Sequence, residues 1–143
     1  MGLRPALPPD RAGVAAVERL YRGTAITTLL GKQVKTIKHV AGPEEHPVIR
    51  IATAAGHELT VTRFHPMMTT AGIKPAVDLT RQDRLVTSSW KPVRIKSLKK
   101  IAYSGLVYNF ELPGEAELEH LVVAEGLITG DLYLQRRLSA TRK

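Results

Sequence analysis

Short segments in which apolar and polar residues alternate recur between residues 25 and 130, and Gly, Pro and Lys separate them. Alternation with a period of two is typical of strands that bury one face. The clearest examples are 33–39, 57–63 and 106–112. Further strands are predicted over 25–30, 47–53, 84–87, 93–98, 120–124 and 126–130. Because many short strands follow one another closely, the sequence predicts an all-β fold.

The two ends of the chain have a different character. Residues 1–18 contain three prolines, Pro5, Pro8 and Pro9, which argue against a regular element and indicate a linker or N-terminal arm. Residues 135–143 are rich in arginine and predict a basic tail. The predicted folded domain therefore spans residues 19–134.

Composition removes several classes of chemistry. The chain has 143 residues and no cysteine, which excludes disulfides, thiolate metal sites and cysteine nucleophiles but leaves the compartment undetermined. No apolar run is long enough to cross a membrane and no secretory signal is visible, so we expect no membrane partner. The histidines lack metal-ligand spacing, and we expect a monomer without metal or cofactor.

Several motifs follow one another along the chain in a fixed order. They are Gly23-Thr24, then 56–66 with Thr62 and His65, then 76–79 with 83–85, and finally 107–112 leading into His120 and 121–128. This series resembles the Hint family, the self-processing domain of Hedgehog proteins and inteins, over about residues 19–131. The resemblance implies a horseshoe of short antiparallel strands (Hedgehog/intein fold) in which the two ends of the domain meet at one site.

The resemblance also implies roles for individual residues. In the family a first Cys or Ser attacks the preceding carbonyl in an N-to-S or N-to-O acyl shift, and a closing His-Asn pair cleaves the other end by cyclisation. By position, Thr62 and His65 would polarise the scissile amide, and His120 would assist the second cleavage. An imidazole within reach of an amide nitrogen can protonate that leaving group. Because Thr62 and His65 would point to opposite faces of a regular strand, their co-operation requires a turn or bulge at residues 63–64.

Two positions depart from the family pattern. The nucleophile position holds Arg19, whose guanidinium stays cationic and cannot attack a carbonyl. The closing His-Asn is replaced by Gly130-Asp131, and Leu132 follows in place of Ser, Thr or Cys. The resemblance together with these departures implies a self-processing domain that is inactive at both ends. Its partner would be a flanking polypeptide in cis if the chain is part of a larger precursor.

Other interpretations remain open from the residues alone. His65 could be a hydrogen-bonded core histidine, His120 a surface residue paired with Glu117 or Glu119, and Arg19 a solvated charge. Residual autoproteolysis near Asp131 is a second functional hypothesis. A net charge of +8, with basic residues concentrated over 91–100, makes a basic β module for nucleic acid or an acidic partner the third.

Overall fold

A computed structural model describes residues 25–27, 29 and 33–141 of the chain. Twelve strands and one α-helix make up most of this part. The strands are β1 Ala25–Thr27, β2 Gln33–Lys35, β3 Lys38–Glu44, β4 Val48–Thr53, β5 Glu58–Val61, β6 Pro66–Thr69, β7 Gly72–Pro75, β8 Arg84–Val86, β9 Pro92–Ile101, β10 Gly105–Glu111, β11 Leu121–Ala124 and β12 Leu127–Gly130. The helix α1 is Leu132–Thr141, and short 3₁₀ turns lie at Ala76–Asp78 and Glu117–His120.

Eight strands form one antiparallel sheet in the order β11-β12-β6-β8-β9-β4-β5, with β7 paired to β6 beside this path. Two further pairs, β1 with β2 and β3 with β10, are also antiparallel. The order brings β6 from mid-chain next to β12 from the end of the chain. The loop before β6 and the loop after β12 consequently lie at the same end of this strand pair.

The core follows the alternation of the strands. The main apolar cluster contains Ile49 and Ile51 of β4 and Val61 of β5, all at most 5% exposed, while the intervening Arg50 is exposed. A second cluster joins β11 and β12 to the helix through Leu121, Ile128 and Leu134. Burial of every second side chain explains why the period of two predicts these strands.

The predicted all-β Hint architecture is confirmed, with local differences. The segment predicted as one strand over 33–39 is divided into β2 and β3 by a bend at Ile37. The hairpin of β6 and β7 was not predicted, because prolines at the opposed positions Pro66 and Pro75 and two methionines do not resemble a β-branched strand. No helix within 25–27, 29 and 33–141 is long and apolar enough to span a membrane.

The largest difference concerns the C-terminal segment. The predicted boundary between residues 134 and 135 falls inside α1, so the residues predicted as a basic tail are folded up to Thr141. Leu134 is 3% exposed and Gln135 is 9% exposed, and the Asn109 amide of β10 donates a 3.0 Å hydrogen bond to Gln135 Oε1. The Arg136 guanidinium donates to Glu111 Oε1 at 2.6 Å. The helix is thus part of the domain, since its buried side chains contact the sheet.

Candidate functional site

A tight turn separates β5 from β6 and carries the mid-chain histidine. The His65 amide donates to the Thr62 carbonyl oxygen at 3.1 Å, and residues 63–64 form the turn. The His65 carbonyl accepts from the Ala76 amide at 2.9 Å, which fixes the far side of the turn. The irregularity that sequence spacing requires between Thr62 and His65 is therefore present.

The His65 side chain is buried without a hydrogen-bond partner in the described part of the chain. The residue is 1% exposed, and neither Nδ1 nor Nε2 is bonded. Burial lowers the pKa of His65 to about 3, because the imidazolium would lose its hydration. The ring is therefore neutral at pH 7 and presents one N–H and one free nitrogen lone pair. His65 is therefore a buried histidine, and among the described residues it has no hydrogen-bond partner.

His120, just before β11, and Asp131, just after β12, form a buried pair. His120 Nδ1 lies 2.7 Å from Asp131 Oδ2, and both residues are 0% exposed. His120 Nε2 lies 2.8 Å from the Gly114 carbonyl oxygen, and the imidazole stacks on the Tyr133 ring with centroids 4.0 Å apart. His120 is consequently not a surface residue paired with Glu117 or Glu119, because burial and Asp131 account for its contacts.

The geometry of this pair fixes its proton count. The Gly114 carbonyl only accepts, so His120 Nε2 carries a proton. A contact of 2.7 Å between Nδ1 and Oδ2 also needs a proton, which belongs to the imidazolium or to the carboxylic acid. Burial raises the pKa of Asp131, although donors from Leu112, His120 and Leu134 oppose that effect. In either form the pair is neutral overall, which suits its burial.

Asp131 also begins helix α1. Its Oδ1 accepts the Leu134 amide at 3.2 Å, the bond made by an N-cap side chain. Its backbone carbonyl accepts the Gln135 amide at 3.1 Å, the first hydrogen bond of the helix. Its Oδ2 accepts the Leu112 amide at 2.8 Å in addition to the His120 contact. Both the carboxyl group and the carbonyl of Asp131 are therefore committed to structural bonds.

Strand register relates His65 to this pair. Met67 of β6 lies opposite Thr129 of β12, so the antiparallel register continues to place His65 level with Asp131. On the other side of β12, the Asp131 amide donates to the His120 carbonyl at 3.1 Å. Pro66 packs against Gly130, and His65 and Asp131 are the next residues beyond these two strands. We call the set of His65, Asp131 and His120, which lie at this end of β6, β12 and β11, the row.

The packing around Gly130 leaves no room for a side chain. A Cβ at this position would lie 2.8 Å from Leu134 Cδ1 and 2.9 Å from Pro66 Cβ. These distances are shorter than real Cβ contacts, so a larger residue requires Leu134 or Pro66 to move. The adjacent Thr129 hydroxyl is buried and, within the described residues, has no hydrogen-bond partner.

The row brings together three of the residues that the sequence singled out, His65, His120 and Asp131, with Gly130 adjoining it. Arg19, Gly23 and Thr24 lie outside the described residues. The sequence reasoning missed the Tyr133 ring and the backbone groups of Leu112 and Gly114, since their contacts depend on the fold. Within the described ranges no three His, Cys, Asp or Glu side chains are grouped as metal ligands.

A curled sheet of antiparallel strands with one short helix is the architecture of the Hint fold. The chain has this Hedgehog/intein fold, in agreement with the motif series. It is similar to the gp41-1 intein, with a TM-score of 0.69, 14% identity, and coverage of 91% of this chain and 93% of that chain. No protein-family model and no curated protein matches the sequence.

Two other solved structures show the same likeness. The MchDnaB-1 intein has a TM-score of 0.68 and 19% identity, and the match covers 91% of this chain and 95% of that chain. The bacterial intein-like domain from Clostridium thermocellum has a TM-score of 0.69 and 18% identity, covering 91% and 94%. At these identities the likeness concerns the fold.

Proposed function

We propose that this chain is an intein-like Hint domain that no longer processes its own backbone and now serves as a folded binding domain. The observation that carries the proposal is that hydrogen bonds engage both the carboxyl group and the carbonyl oxygen of Asp131. Cyclisation requires the side chain at this position to attack its own backbone carbonyl carbon. Here the carboxyl group is bonded to Leu112, His120 and Leu134, and the carbonyl oxygen is bonded to the Gln135 amide.

The chemistry of the side chain supports the same conclusion. A carboxylate attacks its own carbonyl much less readily than a carboxamide nitrogen does. Cleavage after Asp131 would also detach α1, whose Leu132 and Leu134 side chains are buried. Residual autoproteolysis at this position is therefore opposed by both reactivity and packing.

The acyl shift, which is the first step of self-processing, would lack its nucleophile. Arg19 occupies the position where the resemblance expects a thiol or hydroxyl, and the chain has no cysteine elsewhere. His65, by contrast, is a neutral buried imidazole whose ring nitrogens have no partner among the described groups. We infer that the acid-base part of the site persists while the nucleophile is lost. A flanking polypeptide in cis would remain uncleaved.

Intact mass measurement tests the proposal directly. The chain fused to an upstream partner protein should keep its full mass over days at pH 7, with and without added thiol. Scission at the bond between Glu18 and Arg19, or loss of the twelve residues after Asp131, would overturn it.

A second fusion tests what the site retains. Arg19→Cys supplies the nucleophile, and thiol-dependent release of the upstream partner is expected if His65 is correctly placed. The matched control is Arg19→Cys/His65→Ala, which should release at least tenfold less. Equal release from both variants, or none from a folded Arg19→Cys fusion, would contradict the retained role of His65.

A further inference from the structure

Five exposed cations lie on the outer face of three adjacent strands, and we call this the cationic face. Its members are Arg50 of β4, Arg84 of β8, and Arg94, Lys96 and Lys99 of β9. Arg84 lies directly opposite Arg94, and Arg50 lies directly opposite Lys99. Residues that are opposed in this way project from the same face of a sheet.

A β-bulge in β9 keeps Arg94 and Lys99 on the same face of the sheet. Ser97 pairs with Ala52 and Ile95 pairs with Thr53, so Lys96 is the extra residue. The bulge shifts the alternation by one position. As a result, Ile95 and Leu98 both pack on the core, while the cations on either side of the bulge remain in solvent.

The cationic face is only weakly neutralised by the protein itself. Arg50 contacts Glu58 Oε1 at 2.6 Å, an exposed pair at the edge of the face. Within the described residues, Arg84, Arg94, Lys96 and Lys99 make no ion pair with a carboxylate. Like charges directly opposite one another destabilise a sheet. An anionic partner would reduce this repulsion between the cations and so stabilise the face.

An exposed tryptophan lies in the turn that joins β8 to β9, two of the strands that carry the cationic face. Trp90 is 52% exposed and has φ of 63° in the loop between β8 and β9. Its amide donates to the Thr87 carbonyl at 2.8 Å, and the Thr87 amide donates to the Lys91 carbonyl at 2.9 Å. A left-handed backbone is costly for a bulky residue. Outliers of this kind concentrate at ligand contacts.

We propose that the cationic face and Trp90 together bind a single-stranded nucleic acid, with phosphates on the cations and a base stacked on the indole. The five steps from Arg94 to Lys99 span about 16 Å. Four cations of the face, Arg84, Arg94, Lys96 and Lys99, have no carboxylate partner among the described residues, and each would contact one phosphate. Base stacking on an exposed aromatic beside a basic surface is how sequence-tolerant single-strand binders gain affinity. An acidic polypeptide would match the charges but would leave Trp90 without a role.

The test is a fluorescence polarisation titration of the full chain against a labelled 12-nucleotide single strand between 50 and 200 mM KCl. Four phosphate contacts predict a slope of log affinity against log salt near −2.8, which is about a 50-fold loss of affinity across this range. Arg94→Gln/Lys96→Gln should halve the slope, so that the loss falls to about 7-fold. Trp90→Ala should weaken binding about 5-fold or more at every salt concentration without changing the slope.

A matched control distinguishes binding at the cationic face from an effect of net charge alone. Lys35→Glu lowers the net charge as much as the double variant does, but it lies on β2 in a different sheet and should change the slope little. Unchanged circular dichroism and melting temperature establish that each variant is folded. Absence of binding, or an equal effect of Lys35→Glu, would overturn the proposal. Tighter binding to a duplex, or equal competition by poly-glutamate together with an inert Trp90→Ala, would overturn it as well.

Discussion

Replacement of Asp131 by alanine is the most direct way to test whether this residue now holds the structure together. The substitution removes a carboxyl group that is hydrogen-bonded to three groups, namely the Leu112 amide at 2.8 Å, the Leu134 amide at 3.2 Å and His120 Nδ1 at 2.7 Å. Leaving a buried donor unsatisfied costs about 1–3 kcal/mol. Removing one partner of a buried ionic pair costs about 3–5 kcal/mol in total.

We take about 3–5 kcal/mol as the expected loss, because the three contacts share one carboxyl group and are not additive. This is a large part of the roughly 5–15 kcal/mol by which a domain is stable. Asp131→Asn should cost about 1–3 kcal/mol, because it leaves a buried contact unsatisfied in either orientation. With its amide toward His120 it keeps the Leu134 cap but faces the Leu112 amide, and with its oxygen toward His120 it loses the cap and the shared proton.

Urea unfolding followed by far-ultraviolet circular dichroism at pH 7 measures these differences. The control is Glu58→Ala, which removes the exposed carboxylate bound to Arg50 and should cost less than about 1 kcal/mol. An Asp131→Ala variant no less stable than the Glu58→Ala variant would refute the structural role of Asp131.

Three further predictions concern other parts of the chain. His65 has a lower pKa folded than unfolded, so protonation favours unfolding: stability should be full above about pH 6.5 and fall by about 1.4 kcal/mol per pH unit below it. Urea midpoints of wild type and His65→Leu from pH 7 to pH 5 check this, and parallel curves would contradict it. Gly130→Ala should lose about 1–3 kcal/mol through contact with Pro66 and Leu134, and less than additive loss with Leu134→Ala confirms the cause. Trp90→Gly should raise the free energy of unfolding by up to about 1 kcal/mol, since φ of 63° suits glycine, and a lower melting temperature would argue against strain.

The sequence predicted the sheet because buried and less buried positions alternate in strands such as β4 and β5. It predicted β11 and β12 as well, as two short strands joined at Glu125. It also predicted the turn between Thr62 and His65, since no regular strand places both side chains on one face. The helix α1 was missed because the arginines of this segment suggested a solvated tail. Asp131 followed by Leu132, Tyr133 and Leu134 was the available signal, an N-cap before an apolar run.

The bond between His120 and Asp131 lay beyond sequence reasoning for a different reason. A histidine after an acidic loop has nearby carboxylates, and local charge favours Glu117 or Glu119 as partners. The actual partner is eleven residues away and is chosen by the register of β11 and β12. Contacts that depend on register between strands become visible only once the strands are paired.

The tight packing around Gly130 opposes its replacement by a larger residue. Pro66 and Leu134 occupy the volume that a side chain would need, so a single mutation to a larger residue lowers stability before it can bring any benefit. A side chain at this position is accommodated at lower cost when a second change at Pro66 or Leu134 makes room for it. Selection for folding alone is then enough to keep the glycine, whatever the position once contributed to chemistry.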